Sequence, residues 1–337
     1  MLQLTWSWQP ALYLFLGGMG AGAFIMAAVL FLIDRTKHRL VVCVSMWAAF
    51  ASLAVGLLLL LSELISPVRG MMMWQSFSNF SSWMTLGAWG AFGALAVFAL
   101  SALLAMRPVG NWLAKRWKWF GATPKQAGDA AKSAKAAVPN GVKLRRVLAV
   151  VGIGLGAFVA VYTGMLLMTA GGVPLWDSPL LPCLFTVSAF DTGVALVEVI
   201  AVLLSKKDPL AHRAAALMER IVIVLVVLEV AVLAVFLGTL LAGDPATAAS
   251  AAGAASAELL TSGGLATVFW AMVVAAGLAL PLVMAVLSLV LNKRETRPLM
   301  ALGAIGALIG GCELRFLILA AGVHADVLGS TVMGLIM

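Results

Sequence analysis

The chain has 337 residues, 63% of them hydrophobic and only 11% charged, with a mean hydropathy of +1.07. Soluble domains carry about 25% charged residues, so a water-soluble enzyme or binding module is excluded, and recurring apolar runs of about 20 residues mark a polytopic helical membrane protein. The net charge of +8 then reflects basic loops on one side of a bilayer, with no nucleic-acid partner expected.

Apolar runs predict eight spans, at residues 11–33, 39–65, 83–106, 144–169, 183–204, 217–241, 265–291 and 299–322. The expected fold is therefore all-α and integral to the membrane, with eight transmembrane helices. Residues 1–10 hold neither a basic n-region nor a small-residue cleavage motif, so no cleaved signal peptide is expected. Three Lys/Arg follow the first span, ten lie between Arg107 and Arg146, three follow the fifth span and three the seventh, which is 19 of the 22. The odd-numbered connections are thus expected in the cytoplasm and both termini outside it, in a multi-pass protein of the cytoplasmic membrane. Residues 1–120 hold spans 1–3, and 144–182 hold span 4 and an outer loop. Between them, 121–143 reads as a flexible basic cytoplasmic linker, and 183–337 holds spans 5–8. The Ala-, Ser- and Thr-rich stretch Gly243–Gly264 fits a short outer helix and a disordered loop equally well.

Span 1 follows Trp6-Ser-Trp8-Gln-Pro10 and carries Tyr13 and Gly17-Gly18-Met-Gly20-Ala-Gly22. Small residues at this spacing let helices approach closely; alternatively, bare backbone makes room for a flat ring. Span 2 ends in Glu63-Leu-Ile-Ser-Pro67-Val-Arg69, and span 3 opens with Asn79-Phe-Ser-Ser-Trp83. Tyr162-Thr-Gly164 lies near the end of span 4, before Pro174-Leu-Trp176-Asp177. Tryptophans at an interface form a belt, but Glu63, Arg69, Asn79 and Asp177 at one end of spans 1–4 need another explanation. Helical rise places Tyr162 ~10 Å inside the outer boundary, and Tyr13 and Glu63 within ~5 Å of it. These two tyrosines are the only ones in the chain. A phenol can donate to a quinone carbonyl and relay its proton, and a carboxylate at the rim can pass that proton to water. The competing reading of Tyr162 is a core tyrosine bonded to a backbone carbonyl.

The second half carries intramembrane charge. Asp191 and Glu198 fall in span 5, Glu229 in span 6, and Glu313 and Arg315 in span 8. Each costs about 2.5–3.5 kcal/mol at bilayer depth on insertion scales, so such groups face the bundle interior and pair. Asp191 and Arg315 come out ~10–12 Å from the outer side, and an ion pair between them is predicted. The set reads as a proton relay or as paired groups that fix helix packing.

His38, His212 and His324 all fall in connections, leaving no axial ligand pair for a membrane haem b. The three cysteines form no CxxC, so no iron–sulfur or zinc site is expected within the chain. Electrons, if handled, must pass through a bound organic molecule such as a quinone.

Several stretches together resemble the NrfD/PsrC family. They are Trp-x-Trp-x-Pro with Tyr13-Leu-Phe-Leu-Gly-Gly-Met-Gly-Ala-Gly22, Glu63-Leu-Ile-Ser-Pro-Val-Arg69, Ser81-Ser-Trp-Met-Thr-Leu-Gly-Ala-Trp89, Tyr162-Thr-Gly164 and Gly310-Gly-Cys-Glu-Leu-Arg315. The resemblance covers nearly the whole chain. It implies two four-helix bundles and the membrane subunit of a polysulfide-reductase-like molybdoenzyme complex. It further implies menaquinone or menaquinol at the outer surface, a ferredoxin-like iron–sulfur subunit docked there, and a molybdopterin catalytic subunit beyond it. Tyr162 matches the tyrosine of the family's quinone pocket, and Glu63, Pro67 and Arg69 match its pattern after span 2. The family's polar residues at the start of span 1, a histidine among them, are replaced here by Pro10 and Tyr13. The expected pocket therefore draws on Tyr162, Glu63, Pro10, Tyr13, Gly17, Arg69, Asn79, Trp83, Trp176 and Asp177. Two other classes fit the same layout: an ion-coupled transporter, which would suit the buried charges, and a passive anchor for a redox subunit.

Overall fold

The computed structural model describes residues 8–34, 38–63, 83–106, 109, 112–113, 140–169, 172–243, 247–291 and 297–325. Its long helices are α1 (Trp8–Ile33), α2 (Arg39–Glu63), α3 (Trp83–Ala105), α4 (Asn140–Met168), α5 (Leu180–Leu203) and α6 (His212–Leu241). A shorter α7 (Ala248–Thr261) follows, then α8 (Ala266–Leu291) and α9 (Arg297–Ala320). All but α7 are long and apolar enough to cross a membrane, which makes eight among the described residues. Helix is what such a segment must form, because a bilayer offers no partner to a free backbone N–H or C=O.

Five spans, α1, α4, α5, α6 and α9, start earlier than their apolar runs. Pro10 sits in the first turn of α1, where its missing N–H costs nothing. The α4 helix takes in Asn140–Lys143, the last residues of the expected linker, whose remainder lies outside the described residues. Long basic stems extend such ends, and Arg145 lays its guanidinium 4.5 Å from the Phe31 ring centroid. At α6, Ala214–Met218 are strong helix formers, so His212 becomes the first helical residue. The Gly243–Gly264 stretch forms α7, capped by Thr247 Oγ1, which accepts from Ser250 N at 3.3 Å.

The core runs along α1 and α5. Helix α1 packs on α2, α4, α5 and α9, and α5 on α1, α4, α6 and α9. In each, 72% of the span is buried, against 33% in α2, α3, α6 and α8. They cross at Gly22 and Gly193, where a Cβ on either would overlap the other's backbone. Helices α8 and α9 meet in the same way at Gly277 and Gly310. Over Phe269–Ala279, α8 winds as a π-helix. This ends just before Pro281, which cannot donate to the carbonyl of Gly277 and crowds it.

The connections define two faces. On the basic face, the α1–α2 and α5–α6 links clasp each other. His38 holds a left-handed backbone (φ 55°) just before α2 and so cannot cap it in the usual extended form. Asp208, from the other link, caps α2 instead: its Oδ2 accepts from Leu40 N at 2.8 Å and Val41 N at 3.2 Å. The Ala211 N–H donates to His38 Nε2 at 3.4 Å. Replacing Asp208 by Ala is expected to lower stability by about 0.5–2 kcal/mol, read as an earlier thermal transition of the purified protein. On the terminal face, where α1 begins and α9 ends, buried Trp176 donates its indole N–H to Ile318 O at 3.0 Å. The Ala325 N–H reaches Gly172 O at 3.4 Å, and Val323 N reaches Ser256 Oγ of α7 at 3.2 Å.

Candidate functional site: a tyrosine slot and a buried charge cluster

Helices α1–α4 enclose a slot near the terminal face. Tyr13, ~8 Å along α1 from its start, and Tyr162, ~9 Å before the end of α4, face into it together with Gly17 and Thr163. Its cavity volume is about 40 Å³. The remaining lining is aliphatic, from residues such as Leu53 and Leu57 of α2 and Val159 of α4. The Thr163 hydroxyl is already committed, donating to Ala160 O at 2.7 Å. The two phenols are therefore the polar handles of an otherwise apolar slot.

The Tyr162 ring is held by shape. It packs on Gly87 of α3, where a Cβ would overlap it, and Gly90 one turn on receives Phe158 in the same way. The Phe158 and Tyr162 rings lie nearly parallel, at 9°, with centroids 6.2 Å apart. Among the described residues, no group is hydrogen-bonded to the Tyr162 hydroxyl. No described backbone carbonyl accepts from it, and the ring is fixed by packing. A Gly87→Ala substitution must push that ring aside, and overpacking of this kind costs about 1–3 kcal/mol. The expected outcome is a displaced phenol in an assembled protein, read as loss of ligand affinity larger than the shift in melting.

The other expected pocket residues separate. Pro10 is buried in the first turn of α1, below Tyr13. Trp83 opens α3 and is exposed. Trp176 serves as the anchor described above, while Asp177 is exposed and lines a different cavity. That cavity, of about 460 Å³, lies between the α4–α5 link, the end of α6 and α7. Glu63 is the last residue of α2; its side chain, like Arg69 and Asn79, lies outside the described residues. The small-residue run of α1 serves both purposes considered for it. Gly17 lines the slot, whereas Gly20 and Gly22 bring α1 against the backbones of α2 and α5.

The second constellation centres on Arg315, fully buried at 0% exposure. Its Nη1 donates to Ser188 Oγ at 2.8 Å and to Gly311 O at 2.6 Å, and Nη2 to Phe185 O at 3.4 Å. The guanidinium lies 5.2 Å from the Phe185 ring centroid and 5.8 Å from that of Phe15. Ser188 also lies near the Glu229 carboxylate, between that acid and the cation. The direct Asp191–Arg315 ion pair predicted above does not form. Ser188, one turn before Asp191, takes the guanidinium instead, and Asp191 acts on Arg315 and Glu229 through space, with its Oδ1 unpartnered among the described residues. Two turns further along α5, Glu198 is buried as well. Glu313 is half-buried and, two residues from Arg315, projects from another side of α9.

Sequence reading missed Glu219. It is buried at 3% exposure, near Ser288 of α8 and close enough to Glu198 for the two to repel. The signal was there: Glu219, Val222, Val226, Glu229, Leu233 and Phe236 form the buried stripe of α6 at helical spacing.

Eight spans, an apolar slot with two phenols and a buried charge cluster beside it define a polytopic helical membrane protein with a polar interior. Comparison with known proteins then gives the family. Residues 1–325 match the profile described as "Polysulphide reductase, NrfD", and the chain belongs to the NrfD family. It is 31% identical to the C subunit of polysulfide reductase from Wolinella succinogenes over 326 residues, covering 95% of this protein and 94% of that one. It is 29% identical to "Protein NrfD" of Escherichia coli over 326 residues, covering 95% of each.

Proposed function

We propose that the chain is the quinol-oxidising membrane subunit of a respiratory oxidoreductase complex, with menaquinol bound in the tyrosine slot. The observation that carries this reading is the Tyr162 hydroxyl, which is fixed by its ring, lines an apolar slot and has no partner among the described residues. Such a phenol is placed to bond a quinol oxygen and take part in its proton transfer. Oxidation of one quinol yields one quinone, two protons and two electrons. The electrons need an acceptor nearby, and a ferredoxin-like iron–sulfur subunit docked on the terminal face supplies it, with a molybdopterin catalytic subunit beyond. The name of the Wolinella relative, one subunit of polysulfide reductase, supports a multisubunit assembly. The basic face is then cytoplasmic and the terminal face outside.

At about 40 Å³ the slot is tighter than the about 300–1,000 Å³ of typical ligand sites, so the quinol ring enters by parting the side chains between α1 and α4. In the second half, Asp191, Glu198, Glu229 and Arg315 are read as a proton pathway. The test is oxidation of a reduced menaquinone analogue by the assembled complex, wild type against Tyr162→Phe. An unchanged rate would leave the passive-anchor reading in place.

A further inference from the structure

The sequence makes the terminal face acidic. The segments that join or follow the helices there hold five carboxylates, Glu63, Asp177, Asp244, Glu258 and Asp326, against one Lys/Arg, Arg69. The cavity lined by Asp177 opens on this face. At about 460 Å³ it falls within the about 300–1,000 Å³ of typical ligand sites. Its walls lie at and beyond the span ends. They are the α4–α5 link from Gly172 to Asp177, the last turn of α6 and the first turns of α7.

These walls are fixed by bonds that do not use the Asp177 carboxylate. Gly172 turns the chain with φ 81°, a left-handed conformation suited to glycine. Trp176 secures the other end of the link through its indole bond to Ile318 O, and Asp177 follows it directly. Ser256 ties α7 to the chain after α9 by accepting from Val323 N. The hydroxyls of the wall are committed: Thr239 donates to Phe236 O at 2.9 Å, and Thr247 caps α7. The Asp177 carboxylate is exposed and makes no hydrogen bond or ion pair among the described residues. Its charge calls for a cation. The carbonyl end of α6, at Thr239 and Leu240, adds the negative pole of that helix to the same cavity. The start of α7 has the opposite sign, but its cap already occupies it.

We propose that this cavity is a socket for the soluble subunit docked on the terminal face, which inserts a basic side chain against Asp177. Charge complementarity selects the occupant, because an acidic face binds a basic one and rejects an acidic one. The stem of an arginine or lysine would run along Val173, Pro174 and Leu240 while its head meets the carboxylate. A lipid ammonium is the other source of such a cation. The socket walls project past the span ends, however, where a soluble subunit approaches from water. The link that carries Asp177 begins where α4 ends, ~9 Å beyond Tyr162, so a subunit gripped here sits beside the tyrosine slot. This rests on the reading of the chain as one subunit of a complex, and adds where the partner is held and by which charge.

The complete complex is purified in detergent, and release of the soluble subunit is followed by size-exclusion chromatography as salt is raised. Asp177→Lys is expected to weaken retention at least about tenfold, and Asp177→Asn to weaken it less. Glu258→Lys makes the same charge change at an exposed position of α7 that does not line the cavity, and should cost far less. Unchanged retention in Asp177→Lys, or an equal loss in Glu258→Lys, overturns the socket. Benzoylphenylalanine in place of exposed Ala249, on the cavity wall, gives a readout that needs no loss of binding. On illumination it is expected to join the soluble subunit at a peptide containing arginine or lysine. Crosslinking to lipid alone, or to a peptide with neither residue, overturns the socket. A chain that purifies with no soluble subunit sinks the multisubunit reading and the socket together. A complex that oxidises quinol and keeps its subunit in Asp177→Lys as tightly as wild type sinks the socket alone.

Discussion

The Tyr162→Phe complex is expected to assemble normally and to oxidise a reduced menaquinone analogue about 10²–10⁴-fold more slowly than wild type, the range for loss of a positioned proton-transfer group. Phenylalanine keeps the ring, its seat on Gly87 and its stack on Phe158. Only the hydroxyl is lost. Losing a satisfied internal hydrogen bond would cost about 1 kcal/mol, but this hydroxyl has none among the described residues, so melting should not change. Separating kcat from KM then assigns the role. A hydrogen bond that merely holds the quinol is worth about 0.5–1.5 kcal/mol, so its loss raises KM by about tenfold at most. A fall in kcat at unchanged KM means that the phenol acts in the transition state. Unchanged kinetics would move the site away from Tyr162, and Tyr13, the other phenol of the slot, would be the next position to replace.

The spans, though not their exact starts, were legible because hydropathy records what a bilayer demands of a backbone. The meeting of Tyr13, Gly17 and Tyr162 was legible for a related reason: helical rise fixes depth, and side chains at one depth in adjacent helices can meet. Depth carries no azimuth, however, and that is where the reading ran out. It grouped Trp176 and Asp177 with the tyrosines because all lie near one boundary, yet packing turned Trp176 toward Ile318 and Asp177 toward a separate cavity. It paired Asp191 with Arg315 by depth and sign, and Ser188, one turn away, intervened. Glu219 was overlooked because it stands beside Arg220 at the end of an apolar run, where a charge usually means an interface. Only the stripe it shares with Glu229 shows that it faces inward. Gly87 and Gly90 had no visible role until the rings of α4 were found lying on them.

Arg315→Met is expected to destabilise the protein by about 3–5 kcal/mol, the cost of leaving buried partners of a lost charge uncompensated. Methionine fills similar space, so the loss is electrostatic, not a cavity. Removing the guanidinium strips Ser188 Oγ and the carbonyls of Gly311 and Phe185 of their donors. It also leaves Asp191 and Glu229 facing each other with no cation between them. Arg315→Lys keeps the charge but not the planar fork that reaches Ser188 and two carbonyls at once, so it should recover only part of the loss. The decisive variant is the double mutant with Glu229→Gln. If Arg315 serves to balance the acids, neutralising one of them lightens the burden, and Arg315→Met/Glu229→Gln should melt above Arg315→Met alone, with a coupling of about 0.5–3 kcal/mol. If the two losses simply add, the guanidinium matters only for its hydrogen bonds to Ser188, Gly311 and Phe185. The cluster around Arg315 would then be a packing device, and the proton pathway read in the second half would lose its Arg315 end.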